Sequence, residues 1–188
     1  VVGLLCWHLN TSGMPLGTAI RQSSFNAVSI MTGTGYGSAD FSAWGGFAST
    51  LLLIAMFIGG CGGSTTCGIK VFRLQVLATT ARVQISRLLR PHAVVLAYYN
   101  KRPVAPEVMD SVMGFFYLYI LCFVLLAILL GMMGLDFVTA LSGAATSISN
   151  VGPGLGNLIG ASGNFATVPD AAKWVMAFGM LLGRLELF

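Results

Sequence analysis

Charge is what this sequence has least of: charged residues fill 9% of its 188 positions and hydrophobic ones 56%, where a soluble globular domain carries about 25% charged residues. So few charges cannot cover the surface of a water-soluble domain, which points to a membrane protein. Cysteine is scarce and unpatterned. Cys6, Cys61, Cys67 and Cys122 form no C-x-x-C and the two histidines are remote from them, so no zinc ligand set is present and the cysteines read as small packed apolar residues. No G-x-G-x-x-G is set between a strand and a helix with an acidic residue about 20 positions on, as a dinucleotide site requires. The spans hold no convergent acid, base or nucleophile apart from Arg184 and Glu186, so no enzyme is expected. Residues 1–9 lack a basic n-region and make a poor signal peptide. They read as the tail of a helix, and the chain is expected to be part of a longer polytopic one.

What the sequence does have is long charge-free runs. Phe41 to Ile69 and Ser111 to Leu135 carry no charged residue, and each exceeds the ~20 residues that cross a hydrocarbon core of ~30 Å. A further apolar run ends the chain from Trp174. Seven of the ten basic residues (Lys70, Arg73, Arg82, Arg87, Arg90, Lys101, Arg102) lie between positions 70 and 102 with no acid among them. The positive-inside rule makes that segment cytoplasmic, so the net charge of +4 reads as topology rather than nucleic-acid or acidic-lipid binding. Residues 41–69 then run inward, 111–135 run outward, and both glycine-rich stretches, 32–37 and 152–156, fall on the outer side.

Those stretches are related. A shift of 117 residues lays AVSIMTGTGYG (27–37) on AATSISNVGPG (144–154), pairing Ala27 with Ala144, Thr32 with Ser149, Gly35 with Gly152 and Gly37 with Gly154. Ahead of each lies a segment fit for a short helix: 18–31 with Thr18 as N-cap, and 136–148 with Asp136 as N-cap. The repeating unit is a long helix, a helix of about a dozen residues, a glycine loop and a second long helix. A dozen residues rise only ~18 Å, so the short helix must re-enter from the outer face and leave the loop at membrane depth. Non-helical backbone is tolerated there only when it is buried in protein or lines a watery cavity. Glycine lets successive carbonyl oxygens point one way and replace the water around a dehydrated cation. The carboxyl end of the short helix, worth about half a negative charge, points at the same place. A monovalent-cation filter is therefore the leading reading, with helix packing by small residues the alternative.

SFNAVSIMTGTGYGSADFSAWG (24–45), GGCGGSTTCGIKVFR (59–73), SNVGPGLG (149–156) and GRLE (183–186), in this order, resemble the membrane subunit of the Trk/Ktr/HKT superfamily of potassium transporters, closest to the bacterial TrkH type. The resemblance covers nearly the whole chain. It implies an all-α polytopic membrane protein of membrane-pore-membrane repeats, with re-entrant pore helices and glycine filter loops. Residues 1–90 resemble the third repeat: the end of its first helix, a pore helix 18–31, a filter 32–37 and an interrupted second helix 41–85. Residues 111–188 resemble the fourth: a helix 111–135, a pore helix 136–148, a filter 149–154 and a last helix 170–188. By resemblance, the backbone carbonyls of Thr32, Gly33, Thr34 and Gly35 and of Ser149, Asn150, Val151 and Gly152 would line a K+ filter. Tyr36 and Pro153 would sit just outside and brace it.

The second motif cannot propagate a helix cheaply, since each glycine costs about 1 kcal/mol relative to alanine; a kink or a close helix contact is the plain account. By resemblance, Gly59, Gly60, Gly62, Gly63, Ser64 and Thr65 belong to an intramembrane gating loop, with Cys67 standing where the family carries glycine or another small residue. The 117-residue shift lays Arg184 on Cys67, at similar depth. Counted from Asp170, Arg184 lies ~21 Å down its helix, where an arginine costs about 2.5 to 3.5 kcal/mol and faces a cavity or a partner. Its expected partners are Glu186, which is too near in sequence to face it on one helix, or the hydroxyls and carbonyls of the 59–68 loop. Snorkelling to the interface is the alternative. Arg184 would pin the loop closed and oppose cation passage. AVVLAYYNKRPVAPE, within the cytoplasmic linker 91–110, reads as a small hairpin. The resemblance further implies a homodimer in the inner membrane bilayer that docks a cytosolic nucleotide-binding regulatory subunit of the TrkA type.

Overall fold

The computed structural model describes residues 1–90, 98–99 and 102–185. Its helices are α1 (Val2–Thr11), α2 (Leu16–Met31), α3 (Gly46–Phe57), α4 (Val71–Leu89), α5 (Pro106–Met132), α6 (Phe137–Ser149), α7 (Gly156–Ile159) and α8 (Asp170–Leu185). Short 3-10 turns lie at Phe41–Trp44 and Phe165–Thr167. Two residues of β1 (Tyr98–Tyr99) pair antiparallel with two of β2 (Arg102–Pro103), Tyr99 opposite Arg102. Residues 91–97 and 100–101 of the expected hairpin, its turn included, lie outside the described residues, as does the 186–188 end of the last helix.

The first short helix begins earlier than expected. Thr18 is not its N-cap; Pro15 is, with φ −56°, and its carbonyl accepts from the Ala19 N–H at 2.9 Å. Proline has no N–H to leave unsatisfied and a φ already set for a helix start, so the helix gains a residue or two ahead of the threonine. Asp136 does cap α6, its carboxylate accepting from the Thr139 N–H at 3.2 Å. That side chain lies at the surface, and its hydrogen bond to Thr139 holds its carboxyl below the usual carboxylate range. A depressed folded-state value means the cap's contribution is full above the ordinary aspartate value, about pH 4, and is lost as pH falls from there through the lower folded-state value. Asp136→Ala is accordingly expected to lower unfolding stability in detergent by about 1 kcal/mol at pH 7 and by less at pH 3. A loss of equal size at both pH values would rule out the charged cap.

The charge-free run 41–69 does not form one rod. α3 stops at Phe57, and residues 58–70 leave the helix before α4 resumes it. The neck of this excursion is stapled by backbone: the Ile69 N–H donates to the Phe57 carbonyl at 2.8 Å, the Gly59 N–H to the Ile69 carbonyl at 2.9 Å and the Val71 N–H to the Gly60 carbonyl at 3.2 Å. Gly68 sits at φ +87°, and a Cβ on Gly59 would lie 2.6 Å from the Cys67 carbonyl oxygen, closer than side chains approach. Glycine is what lets the two strands of the neck touch.

Two apolar clusters hold the helices. One gathers Phe115, Tyr119, Leu126 and Leu130 of α5, Ala144 and Ile148 of α6, and Ala172 and Met176 of α8. The other gathers Leu5 of α1, Ala27 and Ile30 of α2, and Ala48, Leu52 and Met56 of α3, and takes in Ala145, Val151 and Leu155 from the second half of the chain. α6 is wrapped nearly all round: Thr139, Ser142, Thr146, Ser147 and Ser149 are buried alongside its alanines. A short helix with hydroxyls buried on every face is supported by protein, not by lipid. α8 packs against its end through Gly183, where any Cβ would run into the Ile148 carbonyl. Among the described residues one helix, Glu107–Met132, is long and apolar enough to cross a membrane by itself.

Candidate functional site

The two glycine loops have the same backbone. Gly33 and Asn150, partners under the 117-residue shift, both take left-handed conformations (φ +69° and +52°), and so do Gly35 and Gly152 (φ +79° and +111°). Among the described residues Asn150 is the one non-glycine at positive φ, and asparagine is the residue that bears that conformation best after glycine. The hydrogen bonds repeat as well. The Gly33 N–H donates to the Ile30 carbonyl and the Asn150 N–H to the Ser147 carbonyl, each at 3.2 Å; the Thr34 N–H donates to the Ser29 carbonyl at 2.9 Å and the Val151 N–H to the Thr146 carbonyl at 3.1 Å.

The loops also meet. A Cβ on Gly33 would lie 3.5 Å from the Asn150 carbonyl oxygen, and one on Gly35 would collide with the Val151 carbonyl and stand 3.2 Å from Pro153. Each loop's N–H groups are tied back to its own short helix, while among the described residues no hydrogen bond ends on the carbonyls of 32–35 or 150–152. Two helix carboxyl ends and a set of uncommitted carbonyl oxygens thus converge, an arrangement that favours a cation and repels an anion.

Polar side chains of the short helices hold the loops from behind. Asn26 accepts from the Ser38 N–H at 3.0 Å, and Ser142 accepts from the Leu155 N–H at 2.9 Å, equivalent positions of the two loops. Thr146 Oγ1 accepts from the Gly152 N–H at 2.9 Å, and the Asn150 amide donates to the Met180 carbonyl of α8 at 3.0 Å. On the flank, Ser162 donates to the Asp40 carboxylate at 2.9 Å and Ser42 to the Gly156 carbonyl at 3.3 Å, tying one half of the chain to the other. Pro153 lies against Gly35 as noted. Tyr36 is 74% exposed. Asn26, Ser142 and Thr146 were not singled out from sequence; the signal available was a hydroxyl or amide inside an otherwise apolar short helix ahead of each loop.

On one side of the paired loops lies a polar cavity of about 170 Å³ lined by Thr32, Gly33, Asn150, Thr65, Thr66, Cys67 and Arg184. The 58–70 excursion thus reaches the glycine loops. Arg184 Nη1 donates to the Thr65 carbonyl at 2.7 Å and stands 3.7 Å from Cys67 Sγ, the residue the repeat shift lays on it. Glu186, the other expected partner, lies outside the described residues. Ser64 Oγ and Thr66 Oγ1 are 2.8 Å apart and stiffen the tip. Gly59 and Gly60 sit in the crowded neck, whereas Gly62 and Gly63 have open space around them.

A broken helix, two short helices, the second of them buried, and paired glycine loops define an all-α membrane protein of the transporter class. The chain belongs to the TrkH family of cation transport proteins, whose family profile matches residues 9–188. It is 46% identical over 187 residues to the Trk system potassium uptake protein TrkI of Halomonas elongata, covering 100% of this chain and 38% of that protein. It is 40% identical over 170 residues to the TrkH protein of Vibrio parahaemolyticus, covering 90% of this chain and 34% of that one. The crystal structure of the potassium transporter TrkH from Vibrio parahaemolyticus matches with a TM-score of 0.90 and 37% identity, over 100% of this chain and 40% of that one. The chain therefore spans about two fifths of the length of these relatives.

Proposed function

We propose that this chain supplies two of four walls of a K+-selecting pore in a Trk-type potassium uptake protein, corresponding to the third and fourth repeats. The single observation that carries the reading is the contact of the two glycine loops, Gly35 against Val151 and Pro153, 116 and 118 positions further along the sequence. Carbonyls of Thr32, Gly33, Thr34 and Gly35 and of Ser149, Asn150, Val151 and Gly152 take the place of water around K+. The loop from Gly59 through Thr65 gates the pore from below, held by the Arg184 bond to Thr65. The basic segment 70–102 faces the cytoplasm of an inner-membrane protein, by the positive-inside rule, and the filter loops face out. The whole protein works as a homodimer with a TrkA-type nucleotide-binding regulatory subunit. The relatives' description as potassium uptake proteins supports the choice of ion.

The test is 86Rb+ uptake by the full-length protein in cells stripped of their own potassium uptake. Uptake that excess K+ suppresses and excess Na+ suppresses far less is expected. Equal suppression by both ions, or no uptake with the regulatory subunit present, would overturn the reading.

A further inference from the structure

Tyr119 lies midway along α5, in a run of apolar residues, and is 1% exposed. Its phenol reaches Ser149 Oγ at 2.8 Å. A hydroxyl buried among apolar side chains is costly unless hydrogen-bonded, and phenylalanine in its place would stack on the same rings without that cost. The ring itself sits edge-on to Phe57 at 6.2 Å and tilted against Phe115 at 5.6 Å. Phe57 is the last residue of α3, and its carbonyl takes the Ile69 N–H that closes the neck of the 58–70 excursion. Phe115 lies 3.7 Å from the guanidinium carbon of Arg73, in the first turn of α4, where that excursion ends. One side chain thus touches the glycine loop directly and the root of the lower loop through two rings.

Among the described residues the other half of the chain shows no such brace. The 117-residue shift carries Tyr119 to Val2 and Ser149 to Thr32. Thr32 bonds within its own segment instead, donating to the Val28 carbonyl at 2.7 Å and standing 2.8 Å from Thr34 Oγ1. Ser149, by contrast, is anchored by an outer helix, and its neighbour Asn150 is anchored by α8. The two walls are held unequally.

We infer that Tyr119 is a positioning residue whose hydroxyl, through Ser149, sets the carbonyls of 149–152 and ties that wall to the neck of the loop beneath it. This rests on the reading of 149–152 as part of the filter. Ion selection by carbonyls depends on where they are held, so loss of the brace shows first in discrimination between ions.

The experiment measures initial K+ and Na+ uptake, and the amount of protein in the membrane, for the full-length protein carrying Tyr119→Phe, Ser149→Ala or both. Gly152→Ala is the reference for the filter itself. Tyr117→Phe, on the same helix but 69% exposed, is the control. Tyr119→Phe and Ser149→Ala are each expected to lower the K+ to Na+ ratio by about three- to tenfold, the worth of one hydrogen bond. The double variant is expected to be no worse than either single one, as for residues sharing one interaction, and Tyr117→Phe to leave the ratio unchanged. If Tyr119→Phe does not reach the membrane, Ser149→Ala decides alone. A Gly152→Ala effect with an unchanged ratio in Tyr119→Phe and Ser149→Ala would overturn the brace and leave the filter standing. An equal loss of both ions in Tyr119→Phe would also overturn it, since that is what simple destabilisation gives. No effect of Gly152→Ala would remove the filter reading and the brace with it.

Discussion

Gly35→Ala lowers K+ uptake by about tenfold or more, at unchanged amounts of protein in the membrane. Two terms add up to that expectation. Gly35 holds φ +79°, a conformation that costs a residue with a Cβ about 1–2 kcal/mol. The new methyl would also collide with the Val151 carbonyl, which is backbone and has no rotamer to move into. Its loop must then swing away from the opposite wall. At Gly152 the strain term is present at φ +111°, but a Cβ would meet the Gly35 Cα at an ordinary 3.7 Å. Gly152→Ala should therefore be the milder of the two, acting more on selectivity than on rate. Gly131→Ala, on α5 where a Cβ meets nothing within 4 Å, should be silent. Uptake of 86Rb+ by the three variants checks the order; a silent Gly35→Ala would mean that the loop contact does not matter to transport.

Arg184→Ala is expected to raise flux, measured without the regulatory subunit, by about fivefold or more. The guanidinium both ties Thr65 in place at 2.7 Å and puts a fixed positive charge in the cavity that Thr32, Gly33 and Asn150 help to line. Two unit charges about 8 Å apart repel by roughly 2 kcal/mol at an effective dielectric of about 20, enough to slow a cation leaving the loops severalfold. Arg184→Lys keeps the charge and loses the planar fork that fits a carbonyl, so its flux should fall between wild type and alanine. Unchanged flux in Arg184→Ala protein that reaches the membrane would contradict a gating role.

Much of this arrangement is legible in the sequence, for identifiable reasons. The break at 58–70 was written in five glycines and three hydroxyl residues that no helix carries cheaply. The relation between the two loops was legible because backbone conformation at positive φ constrains residue type, leaving matched glycines at 35 and 152. Arg184 was legible as an expensive residue that needs a carbonyl or a partner, and it sits on Thr65. Other features were not legible because side-chain identity does not encode them. Thr18 makes as good a cap on paper as any threonine, but Pro15 starts the helix first. Tyr119 offered no clue in a run of aromatic and aliphatic residues; only three-dimensional packing brings its hydroxyl to Ser149, thirty positions away. Asn26 and Ser142 clamp equivalent loop positions from helix positions that are not equivalent under the repeat shift, so alignment of the repeats could not have paired them.

The most direct test of the central claim is a crystal structure of the full-length protein grown with Rb+ and recorded for its anomalous scattering. Rb+ peaks in ligand contact with the carbonyl oxygens of 32–35 and 149–152 are expected, weakened when Na+ replaces Rb+ and absent from Gly35→Ala crystals. Rb+ bound elsewhere in the membrane region, with none touching those oxygens, would contradict the account and leave the glycines as packing residues between helices.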